Sequence, residues 1–287
     1  MKLSFRWLGV AGIELHADGR VLAVDPYFTR IRFRQLWLGR PRPDVELVQR
    51  YLPHCDDILI THSHHDHLMD APAVIAGTGA KVYGSPNTCA LMHACGVPES
   101  FIHLVKPGAV MELGAFHVIA LEEREHARLG GYAVGAIPPG LKPPLRAGDF
   151  RMDYGLSYRI SVGGVQLLTE ICLHPHGCLR PTDARPVDVL FTGPYLGKAA
   201  EEEAHYREVL ERYRPRVVVP IHCDDMWRPL SAPPVGQLEP TGKVFPPLAR
   251  FDRLRFKRLI EGIRPQTHVF LPERLEFYEL DDVLDVS

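Results

Sequence analysis

ITHSHHDHL, residues 60–68, places four histidines and an aspartate within the six positions His62–His67. The run before it, DDILIT, reads as a buried strand, and LMDAPAVIA after it reads as a helix, so the cluster falls on a strand-to-helix turn. Turns of this kind project side chains into the crevice at a strand's end. His62 and His64 are two apart, on one face of an extended segment, whereas Asp66 and His67 lie where the chain bends into the helix. Two groups of donors can therefore face two neighbouring points. Neutral imidazole and carboxylate suit zinc, manganese or iron(II), ions that make a bound water acidic enough to attack near neutral pH. The plainer alternative, Asp66 as a helix N-cap among solvated histidines, accommodates one histidine more readily than four.

The whole chain sets limits on what such a site serves. Its 287 residues, 46% hydrophobic, can bury a large core. Thirty-three basic against thirty-five acidic residues give a net charge of −2, which offers no basic excess to drive nucleic-acid binding and argues against a nuclease. The six cysteines form no CxxC pair, and MKLSFRWLGVAG lacks the apolar run of a signal peptide, so a reduced, cytoplasmic setting is expected. No apolar stretch approaches the roughly 20 residues of a membrane-spanning helix.

Short β-rich runs recur along the chain: LSFRWLGVAGIEL, RVLAVDP, KVYGS, FHVIAL, LSYRISV, VQLLTE, VDVLFTG, RVVVPIH and THVFLP. Helical patterns fall at about 69–77, 87–95 and in EEEAHYREVLERY, which begins acidic and ends basic. One mixed α/β domain over residues 1–287 follows, with irregular insertions at about 28–43, 127–156 and 226–249. The last two, rich in proline, are expected to flank the site.

THSHHDHL resembles the HxHxDH signature of the metallo-β-lactamase superfamily, and the resemblance covers most of the chain. FRWLGVAGIEL with RVLAVDPYF is similar to that family's opening hairpin, and RPRVVVPIHCDD to the strand delivering its last histidine ligand. The branch it resembles most contains ascorbate-6-phosphate lactonases and N-acyl-phosphatidylethanolamine phospholipase D. The resemblance implies a four-layer αββα sandwich with one or two divalent metal ions, zinc first and manganese or iron as alternatives. It implies that His62, His64 and His126 hold one ion, that Asp66, His67 and His222 hold the other, and that Asp25 orients a ligand from behind. Where the family has a Gly-Asp pair with a bridging aspartate, this chain reads VQLLTEICLHPHG. Glu170 stands nearest that position, with His174 and His176 just beyond, which leaves one metal or two open.

The implied activity is hydrolysis by a metal-held hydroxide, with Asp66 as catalytic orienter or base, of a phosphodiester or a carboxylic ester such as a lactone. FTRIRFRQLWLGRPRP interleaves Arg30, Arg32, Arg34, Arg40 and Arg42 with apolar residues, a candidate phosphate-binding arm or peripheral lipid contact. Tyr132 and Tyr154, in the loop after His126, are candidate substrate contacts for a partly hydrophobic, lipid-like or small ester. Glu170 also keeps alive a non-catalytic metal- or ligand-binding member of the fold. A homo-oligomer is compatible with all of these readings.

Overall fold

The structure, a computed structural model, describes residues 2–32, 35, 39–123, 134–170, 186–195, 199–230, 241–245 and 249–285. Its strands are β1 (Leu3–Gly9), β2 (Gly12–Ala17), β3 (Arg20–Val24), β4 (Asp57–Leu59), β5 (Lys81–Gly84), β6 (Ile102–Leu104), β7 (Val110–Leu113) and β8 (Phe116–Glu123). They continue with β9 (Gly155–Val162), β10 (Val165–Glu170), β11 (Val189–Thr192), β12 (Val217–Pro220), β13 (Thr241–Phe245), β14 (Ala249–Asp252), β15 (His268–Val269) and β16 (Phe277–Glu279).

Two seven-stranded sheets carry the fold, ordered β16-β1-β2-β3-β4-β5-β6 and β15-β12-β11-β10-β9-β8-β7. In the first, β3 to β6 run parallel; in the second, β10, β11, β12 and β15 do. The inner parallel strands β3, β4, β11 and β12 are buried along most of their length, as strands covered on both faces must be. The sheets meet face to face. Phe5 of β1 packs edge-on against Phe191 of β11 with ring centroids 5.5 Å apart, and the Tyr158 hydroxyl of β9 donates to Ile60 O, just past β4, at 2.7 Å. Helices cover both outer faces, giving the αββα layering of the metallo-β-lactamase fold.

Local sequence explains the helices that position the site. Ala71–Thr78 opens with a proline in its first turn and stops at Gly79, whose φ of 74° is the left-handed cap that glycine adopts without strain. Pro86–Ala94 is capped by Ser85, whose side chain accepts from Thr88 N. Ala199–Tyr213 buries Tyr206, Val209, Leu210 and Tyr213 on one face.

The expected helices appear within two residues of their ends. The expected strand DDILIT stops earlier, at Leu59, although Ile60 N still bonds Tyr83 O at 2.9 Å. The helices Val45–Tyr51, Arg253–Ile263 and Leu280–Asp285, together with β6, β7, β13, β14 and β16, are not among the expected elements, although Phe256, Leu259, Ile260 and Ile263 give Arg253–Ile263 a clear helical period. The segment 226–249 is not wholly irregular, because β13 within it pairs antiparallel with β14.

Candidate metal centre

Three parallel-strand ends converge at one edge of the sandwich. Asp25 follows β3, His62–His67 follow β4, and His222 follows β12. Asp25 and His222 both have left-handed backbones, with φ of 45° and 54°, and so does Val10 (φ 49°) in the turn between β1 and β2. Such conformations are costly outside glycine, most of all for a β-branched valine, and persist where surrounding contacts enforce them. His64 N-caps the single helical turn His65–Leu68, which turns Asp66 and His67 inward.

Asp66, His67 and His222 each offer one donor atom, all buried and all within 4.8 Å of one another. Asp66 Oδ2 lies 3.6 Å from His67 Nε2 and 3.3 Å from His222 Nε2. A tetrahedral ion about 2.1 Å from each donor holds its ligands roughly 3.4 Å apart, so the donor set fits a divalent metal. Burial by itself would raise the Asp66 carboxyl; His67, His65 and a hydrogen bond with His222 outweigh it and hold the group well below the usual range. His62 is kept neutral by burial first, then by repulsion from His67 and His64. Its ring centroid lies 3.9 Å from that of His67 and 4.6 Å from that of His64.

The shell behind these donors sets their tautomers. Asp25 Oδ2 lies 2.8 Å from His67 Nδ1, and Asp25 Oδ1 accepts from Thr61 N at 2.8 Å. The Thr61 hydroxyl donates to Asp25 Oδ2 and sits 3.1 Å from His62 Nδ1. A hydroxyl has one proton, so with that proton on Asp25 it accepts from His62 Nδ1–H. Both imidazoles therefore carry Nδ1–H and leave Nε2 as the lone-pair donor, the arrangement a ligating histidine needs.

The remaining expected residues are not gathered here. Tyr158 pairs with Thr169 and turns inward, so Glu170, the next residue along β10, faces the other way. There its nearest charges are Arg212 and Glu208 of the helix Ala199–Tyr213, and burial pushes its carboxyl up to about 7. That face turns Glu170 away from the bridging position considered for it. Arg30 is no exposed arm: its side chain is 1% exposed and its Nη2 donates to Asp224 Oδ2 at 3.0 Å. Arg32 is exposed. The Tyr154 hydroxyl is committed to Val105 O at 2.7 Å. His126, Arg34, Tyr132, His174 and His176 lie outside the described residues.

The motif's fourth histidine, His65, turns to an aromatic wall of Tyr27, Trp227 and Phe150, with centroids 6.2, 6.1 and 6.5 Å away. Burial pulls its ring down to about 4. Phe150 and Trp227 belong to the two proline-rich segments, so described parts of both reach the motif. Sequence reasoning missed Thr61 and Asp224. Thr61 adjoins the motif and was open to notice; nothing local marks Asp224.

A divalent-metal donor set at the edge of two apposed sheets defines a protein of the metallo-β-lactamase fold. The chain belongs to the beta-lactamase superfamily: the beta-lactamase superfamily domain matches residues 4–222. It is similar to a UPF0173 metal-dependent hydrolase of Myxococcus xanthus, 30% identical over 169 residues covering 54% of this chain. The chain spans about half the length of that relative, 55%. A UPF0173 metal-dependent hydrolase of Methanopyrus kandleri is 26% identical over 287 residues, covering 96% of this chain and 100% of that protein. Among solved structures it is similar to Igni18, a metallo hydrolase from the hyperthermophilic archaeon Ignicoccus hospitalis. The TM-score is 0.59 at 16% identity, with 97% of this chain and 98% of that one covered.

Proposed function

We propose that the protein is a metal-dependent hydrolase acting on a phosphodiester or a carboxylic ester, lactones included. The observation that carries the reading is the convergence of Asp66, His67 and His222 from two distant strand ends into a buried donor set. The relatives named metal-dependent hydrolases support the same class.

Asp66, His67 and His222 would hold one divalent ion, zinc by preference with manganese or iron(II) as alternatives, and His62 and His64 stand beside them for a second. Such an ion supplies Lewis acidity to the oxygen under attack and makes water a better nucleophile. The protein's own groups do the rest. Asp25 and Thr61 fix the tautomers of His67 and His62, and ionised Asp66 would orient the attacking water. A cavity of about 490 Å³ lined by Leu68, Met69, Ala73, Leu145 and Phe150, with Arg42 also in its wall, supports a partly hydrophobic substrate. Leu68 and Met69 directly follow His67, and none of the metal donors themselves lines this cavity.

The test pairs elemental analysis of the protein with turnover assays on a phosphodiester panel and an ester and lactone panel. Bound divalent metal with hydrolysis in one panel, both lost in His222→Ala and Asp66→Ala, is the expected result. Bound metal without turnover in either panel would overturn the enzyme reading in favour of a binding protein.

A further inference from the structure

We propose that Asp224 is a positioning residue that holds the metal ligand His222 through its backbone, with Arg30 and Arg274 as its counter-ions. The inference rests on the metal-centre reading above.

His222 is the ligand that arrives from the far sheet, and it sits at φ 54°, where a non-glycine backbone does not rest unaided. Its N–H donates to Val10 O at 2.5 Å. Val10, itself at φ 49°, donates its own N–H to Asp224 Oδ1 at 2.8 Å. The chain thus runs from β12 through His222 to the β1–β2 turn and back to Asp224, closing a loop around two strained residues. Val10 O is pinned a second time by Trp7 Nε1 at 2.9 Å.

Asp224 is well suited to this load. Its Oδ2 receives Arg30 Nη2 at 3.0 Å and Arg274 Nη1 at 3.3 Å, which leaves Oδ1 for Val10. Arg274 also donates to Leu230 O at 3.3 Å, and the next residue's N–H, Leu275 N, bonds Trp7 O at 2.8 Å. The C-terminal segment therefore braces the same turn from the other side. Gly9 completes the fit: a Cβ there would lie 2.2 Å from Arg30 Nη2 and 2.9 Å from Asp224 Oδ2. Asp224 and Arg274 both lie beyond residues 4–222, the part of the chain that matches the family. The clamp is thus assembled partly from outside that region.

A double-mutant cycle on metal affinity, measured by competition with a chromogenic chelator using zinc, tests the assignment. Asp224→Asn in the parent is expected to weaken zinc binding about 10-fold or more, the scale of lost support behind a metal ligand. In a His222→Ala background the same change is expected to move affinity less than about 2-fold, because its route to the metal is gone. Equal losses in both backgrounds would mean a general structural role and overturn the proposal. His222→Ala with undiminished affinity would instead overturn the metal-centre reading, and the positioning role with it. A second readout needs no metal: carbethoxylation of His222 by diethyl pyrocarbonate, followed by mass spectrometry, should accelerate relative to His62 in Asp224→Asn. An unchanged ratio also sinks the assignment. Should Asp224→Asn fail to fold, Arg274→Met leaves Arg30 to balance the carboxylate and should give the same pattern at smaller amplitude.

Discussion

Asp25 and His67 face each other across 2.8 Å, carboxylate to Nδ1, with side chains 0% and 2% exposed. One contact links the end of β3 to the turn after β4 and decides which nitrogen of His67 is offered to a metal.

Replacing Asp25 with alanine should therefore act on two properties at once. Thr61 N and His67 Nδ1 lose their acceptor inside the protein, which should cost about 3 kcal/mol of stability. Metal affinity should fall about 10- to 100-fold as the tautomer is released. Urea unfolding and zinc titration of the same preparation check both; a stability loss with unchanged affinity would show that Asp25 only supports the fold.

Metal removal should lower thermal stability. A ligand that binds only the folded state contributes about 2.7 kcal/mol at 100 times its dissociation constant, so dialysis against a chelator should reduce Tm and zinc or manganese should restore it. The same treatment of His222→Ala should produce a smaller shift. Equal shifts in the two proteins would place the binding elsewhere.

Glu170 gives a pH test. Its folded-state value of about 7 stands above the ordinary 4.5 because burial disfavours the carboxylate. The folded state thus holds this proton more tightly than the unfolded chain. The associated stability is present in full below pH 4.5 and is lost as pH rises through about 7, a loss of about 3 kcal/mol by neutrality. Glu170→Gln removes the titration, so the variant should gain on the parent between pH 5 and pH 8. Denaturant midpoints at those two values decide it; a constant difference would refute the assignment.

Two glycines separate backbone freedom from packing. Gly9 and Gly19 both lie at positive φ, 95° and 75°, but only Gly9 has Arg30 and Asp224 within reach of an added Cβ, with open space around Gly19. Gly19→Ala should cost about 1 kcal/mol for its left-handed conformation alone. Gly9→Ala should cost more, about 2 kcal/mol or above, and should also weaken zinc binding. Similar unfolding losses with equal zinc affinities would argue that the cluster tolerates the intrusion.

Much of the architecture is legible along the chain. The parallel strands announce themselves because burial on both faces demands unbroken apolar runs such as VLAV and VVVP. The helices at 71–78 and 86–94 are framed by proline, serine and glycine signals that act over one turn. β6, β7 and β16 are three or four residues long and partly exposed, so neither alternation nor continuity marks them. Glu170 was placed from its order along the chain; its side is set by strand alternation, which the pairing of Thr169 with Tyr158 resolves. Arg30 reads in the sequence as part of a phosphate-binding arm or lipid contact, and its burial depends on Asp224, a partner far away in the sequence.

The sequence by itself determined the fold family and most of the donors, because HxHxDH packs ligand chemistry and turn geometry into one short segment whose local constraints suffice. His222 and Asp25 are expected beside the motif from the family resemblance; only the tertiary structure decided the distances at which they meet Asp66 and His67, and that Thr61 and Asp224 stand behind them. Those relationships cross between strand ends and between sheets. They depend on Val10, Asp25 and His222 holding left-handed backbones that no glycine signals. Such conformations are unfavourable for the isolated segments and exist where hydrogen bonds from distant parts of the chain offset their cost.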